Sequence, residues 1–216
     1  MNLHKMSNNI NILVGFLIVS VFALPAQSIE KPVLKGVLNT FSTSPQSIRS
    51  LRAWTLEDLS SLSPISSHEK DPLSGHFSQW KGVLISKWIE KELSELPLEQ
   101  RSEVDLLILK NQKGEQAILP RHVVKAFPVM LAWEKDRKIF SDKDQGFTVV
   151  LPWSSNSQKM MRGNLNWSAY QISGVSEVQL TSYQARFSNL FLKRRTDPAA
   201  VRGEKMVVEN CVSCHV

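Results

Sequence analysis

Cysteine is scarce in this chain: two residues in 216, Cys211 and Cys214, both among the last six. Upstream of residue 211 there is no thiolate to ligate a metal. Long apolar runs are scarce too. The run from Ile12 to Leu24 falls short of the ~20 residues that a spanning helix needs. No internal repeat or low-complexity segment appears. There is no basic face with interleaved aromatics and no nucleic-acid motif, so nothing points to a nucleic-acid partner. The net charge of +6 is mildly basic and names no partner by itself.

What is present begins at the N-terminus. Lys5 lies in a short polar lead, the apolar run follows, and Ala26-Gln27-Ser28 offers a small-x-small cleavage site. This reads as a secretory signal peptide over residues 1–28 and predicts export to the periplasm. A membrane attachment is expected only if that segment stays uncleaved. The remaining residues suffice for one domain with a real core. The expected division is 29–190 for an α+β domain and 191–216 for a linker and a C-terminal segment. Lys193, Arg194 and Arg195 form one dense basic run, read as a solvated linker or as a docking patch for an acidic redox partner protein.

The last six residues, Cys-Val-Ser-Cys-His-Val, carry the most specific pattern. A bare Cys-x-x-Cys is open to three other readings: a redox dithiol, half of a zinc site, or a disulfide. A His directly after the second Cys turns the spacing into a c-type haem attachment site. Cys211 and Cys214 would each form a thioether to the porphyrin, and His215 would be the proximal ligand to iron. Upstream, Asp197 and Pro198 predict a helix start, with Asp as N-cap and Pro at the first helical position. The helix runs to Asn210. Gly203 stands eight residues and Val207 four residues before Cys211. This is similar to the N-terminal helix of class I cytochromes c, Gly-x-x-x-aromatic-x-x-x-Cys-x-x-Cys-His. In that family the Gly allows a close helix crossing. Val207 replaces the usual aromatic, and no second helix or distal Met loop follows within this sequence. The resemblance therefore covers the start of a cytochrome c domain.

Between the two ends, hydrophobic patterning predicts short elements. Thr55 N-caps a short helix over Leu56–Leu59. The region 42–78, rich in Ser and Pro, reads as loop between short elements. Trp80–Leu84 leads into a helix over Ile85–Leu93. Asp105–Lys110 is a near-continuous apolar run and predicts a buried strand. A turn at Asn111–Gly114 and a return strand at Gln116–Leu119 follow. Pro120–Lys125 predicts a short helix, Val129–Glu134 a strand, Lys135–Lys138 a charged turn, Phe147–Leu151 a strand, and Val175–Leu180 a half-buried strand. Without a regular βαβ rhythm, the fold class is α+β.

Some of these segments resemble a known family. Thr55-Leu56-Glu57-Asp58-Leu59 with Trp80-Lys81-Gly82-Val83-Leu84 looks like the "TLxDL … WxGVxL" pair of sulfite-oxidase-type molybdopterin-binding domains. Pro128–Glu134 resembles that family's "xVxLAYE" strand, and Gly146 with Thr148–Pro152 its "GxPLRLVVP" strand. Val175–Val178 stands where the family has "WVxxIEV". The resemblance covers about residues 35–185. It implies a molybdenum held by a cysteine between the first two motifs. Ser60–Gln79 contains no cysteine, and the arginine of the "PLRLVVP" strand is missing. The expectation is that domain's shape without molybdopterin chemistry.

Weaker candidates complete the reading. His68 and His76 flank an Asp/Pro/Gly loop and are read as exposed rather than as metal ligands. His122 opens a short helix as a surface residue or cap. The six Trp (54, 80, 88, 133, 153, 167) are read mostly as core, with a minority available for a ligand groove or an electron path. Met160 and Met161 read as core methionines at a turn, with thioether ligation of haem iron as the alternative. Together these predict an exported electron-transfer protein with haem c at Cys211, Cys214 and His215. The alternative is a non-enzymatic binding or accessory module.

Overall fold

The computed structural model describes residues 31–40, 47–71, 73–141, 146–154, 156–157, 165–187 and 197–210. The fold is a mixed α+β arrangement on one open sheet, as the patterning predicts. The strands are β1 (Leu34–Thr40), β2 (Ser47–Trp54), β3 (Ile65–Lys70), β4 (Phe77–Leu84), β5 (Leu106–Asn111), β6 (Gln116–Pro120), β7 (Met130–Lys135), β8 (Lys138–Ile139), β9 (Phe147–Val150) and β10 (Ser173–Thr181). The helices are α1 (Leu56–Ser60), α2 (Ile85–Ser94), α3 (Leu98–Glu103), α4 (Arg121–Ala126), α5 (Tyr183–Arg186) and α6 (Pro198–Asn210), with a 3-10 turn at Trp167–Tyr170.

The main path through the sheet runs β2-β1-β10-β9-β7-β4-β3, and β5 joins β10 to β6 as a branch. The β1–β10 pair is parallel, while β10 meets β5 and β9 antiparallel. Three partners make β10 the hub. Its register shifts between Val175 and Glu177 on β5 and between Ser173 and Val175 on β9. Such irregularities let one strand serve two neighbours on the same flank.

The apolar run predicted as a buried strand is β5, buried on both faces. Leu107 and Leu109 join the main core, while Leu106 and Ile108 pack with Ile118 under Tyr183 and Phe187 at α5. That double covering explains why the run does not alternate. The helix α2 presents Ile85, Trp88, Ile89 and Leu93 to the main core, a spacing that places all four on one face. Thr55 caps α1 reciprocally: its hydroxyl accepts from Asp58 N at 3.2 Å, and Asp58 Oδ2 accepts from Thr55 N at 2.9 Å. This capping box satisfies two otherwise orphaned donors.

Two turns are built by side chains that the sequence offers. Asn111 Oδ1 accepts from Lys113 N at 3.0 Å and from Glu115 N at 2.9 Å, closing the β5–β6 hairpin. Asp136 and Arg137 take φ of 49° and 65° between β7 and β8, the left-handed pair that a tight hairpin requires. The Asp136 carboxylate accepts from Gln79 N at 2.9 Å, fastening that turn to β4.

Strands β2 and β3 both fall within the region 42–78 expected to be loop. In β3, Ser67 and Glu69 are the buried positions. A strand whose inward residues are polar shows no hydrophobic alternation, so its period was hidden.

Candidate functional site

Two regions bear on function: the helix that leads to the cysteines, and a cleft at the end of the β3–β4 hairpin. Helix α6 starts as its sequence requires. Asp197 Oδ1 accepts from Ala199 N at 2.9 Å, and Pro198 occupies the first turn. An aspartate there also favours the positive helix N-terminus. A side chain at Gly203 would meet nothing within 4 Å. Met206 and Val207 are exposed. Cys211, Cys214 and His215 lie outside the described residues, as do the signal segment, the basic run at Lys193–Arg195, and Met160 and Met161. As far as Asn210, α6 is a helix of 13 residues with Asp197 bonded to its first turn.

The cleft was not foreseen. It holds about 540 Å³, between Lys70 and Phe77 on the hairpin and Leu151, Trp153 and Ser154 after β9. Glu69, Ser157 and Gln171 complete it. The Glu69 side chain is 3% exposed. Its carboxylate accepts from Ser67 Oγ, from Ser154 Oγ, and from Ser154 N at 3.0 and 3.1 Å. These bonds fasten the segment after β9 onto β3, residues 85 positions apart in sequence. Trp80 Nε1 donates to the Glu69 carbonyl at 3.3 Å.

Next to it, Asp71 is buried with a different partner set. Lys135 Nζ approaches Asp71 Oδ2 at 2.6 Å, Ser74 Oγ donates at 2.6 Å and Leu73 N at 3.0 Å. Burial works to raise the Asp71 pKa, but these donors and the Lys135 charge outweigh it and hold the group at about 2. Asp71 is therefore a fixed anion with a fixed counter-cation. A third buried acid lies against the main core: the Trp54 indole N–H donates to Glu92. Burial raises the Glu92 pKa, opposed by that hydrogen bond.

The two loop histidines have separate surroundings. His68 is exposed on β3 and stacks on Phe77 with ring centroids 5.5 Å apart. His76 is exposed beyond the turn, and its carbonyl accepts from Asp71 N at 2.7 Å. Among the described residues, no group of three or more His, Cys, Asp or Glu is arranged to hold a metal ion. His122 lies exposed in the first turn of α4. Trp54, Trp80, Trp88, Trp133 and Trp167 are buried. Trp153 is half-buried, lines the cleft, and meets the edge of Trp167 at 6.1 Å between centroids. No local pattern marks the cleft in the sequence, because Ser66, Ser67, His68, Glu69 and Lys70 are all polar.

No family model matches the chain, and no curated protein matches it significantly. No helix among the described residues is long and apolar enough to cross a membrane.

Proposed function

We propose that this chain is an exported electron-transfer protein, with an α+β domain ahead of a helix that leads to covalently attached haem c. The observation that carries the reading is the Cys211, Cys214 and His215 spacing placed one residue after a helix that Asp197 caps and Pro198 begins. The two thiols would each add across a vinyl group of the porphyrin, the thiol hydrogen going to the neighbouring carbon. The His215 imidazole would bind the iron from the proximal side. When bound, the haem supplies a one-electron iron couple. The open face at Gly203 leaves room for a packing partner of that helix.

The finer reading of the α+β domain is a sulfite-oxidase-type shape without the cysteine that would hold molybdenum. It is supported by adjacency. Trp80–Leu84 closes β4, Pro128–Glu134 covers β7, Thr148–Pro152 covers β9 and Val175–Val178 lies in β10. These four strands are consecutive neighbours in the sheet, so motifs far apart in sequence form one contiguous surface.

Absorption spectroscopy tests the function. Protein made alongside cytochrome c maturation machinery should show a haem spectrum that changes on chemical reduction and reoxidation. His215→Ala should alter the axial ligation and Cys211→Ala should remove one thioether. A colourless protein would overturn the reading, and one zinc per chain in its place would favour the zinc alternative.

A further inference from the structure

We propose that the cleft at Glu69 binds a small organic cation carrying an apolar or aromatic body. The proposal is independent of the haem reading. Carboxylates are rarely buried unless a cation pairs with them. Glu69 is buried, yet its described hydrogen-bond donors, two serine hydroxyls and one backbone N–H, are all neutral. Among the described residues, no Lys, Arg or His forms an ion pair with it. The nearby Lys135 is committed to Asp71 at 2.6 Å. Among the described donors, Glu69 Oε2 accepts only from Ser154 N, so lone-pair capacity remains on that oxygen.

The walls suit such a ligand. Phe77 and Trp153 offer aromatic rings and Leu151 a branched aliphatic side chain. Aromatic faces attract a positive charge, and more strongly where water is excluded. A volume of about 540 Å³ lies within the usual range for small-molecule sites. An anion would meet the Glu69 charge. A neutral ligand would leave that charge uncompensated. Lys70 on the rim opposes a cation from an exposed position, where screening weakens it. This gives the proposal a second sign to test: removing Lys70 should strengthen cation binding.

The test is calorimetric titration of the purified full chain with three ligands of one carbon skeleton: 2-phenylethylammonium, 2-phenylethanol and phenylacetate. The cation should bind tightest and phenylacetate weakest. Glu69→Gln should weaken the cation about tenfold or more, the loss expected for one charge-assisted hydrogen bond, and leave 2-phenylethanol nearly unchanged. Lys70→Ala should tighten the cation a few-fold, and Phe77→Ala should weaken both 2-phenylethylammonium and 2-phenylethanol. Residues 70 and 77 are exposed, so these variants keep the test decisive if Glu69→Gln fails to fold. Equal affinity for the three ligands, preference for phenylacetate, or no binding of any at millimolar concentration would overturn the proposal.

Discussion

Gly82→Ala is the substitution that the sheet should tolerate least. Gly82 lies in β4 opposite Ala132 of β7, beside a register shift between Lys81 and Gly82. A methyl group there would run into the Leu131 carbonyl oxygen, and would lie 2.6 Å from Ala132 Cα and 2.8 Å from Leu131 C. Carbon atoms in contact prefer about 3.5–4.0 Å, so the strands would have to part by close to an ångström. The obstructing atoms are backbone, and no rotamer change relieves them. The cost should reach the top of the usual overpacking range, about 3 kcal/mol. Reduced freedom of the unfolded chain offsets about 0.5 kcal/mol of that, which leaves about 2.5 kcal/mol. Urea unfolding followed by tryptophan fluorescence measures it. Gly114→Ala is the control, since a methyl there meets nothing within 4 Å. Its φ of 84° costs an L residue about 1 kcal/mol. If Gly82→Ala loses no more stability than Gly114→Ala, the close approach of β4 and β7 described above is wrong.

Three further outcomes follow from single residues. Asp71 has its pKa lowered from 3.8 to about 2, so its contribution is fully present above pH 3.8 and is lost as pH falls toward 2. That contribution is about 2 kcal/mol, and Asp71→Asn should remove this acid-limb slope in urea unfolding at a series of pH values. Glu92 has its pKa raised by burial, so its effect has the opposite sign: the stabilisation is complete below the ordinary glutamate pKa and fades as pH rises through the folded value. Glu92→Gln keeps an acceptor for the Trp54 indole and should flatten that decline, whereas an unchanged pH profile would contradict the burial assigned to it. Gly203→Ala should raise the helicity of α6 by circular dichroism, since the position is open and alanine is favoured there by about 1 kcal/mol. The same variant should lower the yield of haem-loaded protein if Gly203 serves a close crossing.

Legibility in the sequence followed chemistry. Where the inward residues are apolar, as in Leu106–Leu109 and Met130–Trp133, strands were apparent from composition alone. Thr55, Asp197 and Asn111 announced a cap, a helix start and a turn because short polar side chains at those places bond the backbone locally. Strand β3 was hidden because Ser67 and Glu69 occupy its inward positions. The cleft was hidden for a related reason: Glu69 meets Ser154 only after the chain has built β4, β7 and β9 between them, and no local spacing encodes that meeting. The branching of the sheet at β10 is likewise a property of pairing. Val175–Leu180 looks like an ordinary half-buried strand, and its three partners come from distant segments.

The most direct test of the central claim is intact-protein mass spectrometry after denaturation and acid–acetone extraction, on full-length chain produced with cytochrome c maturation machinery. The account predicts one haem per chain retained through extraction, located to the peptide that contains Cys211 and Cys214. Full-length chain with both thiols free and no retained haem would contradict it.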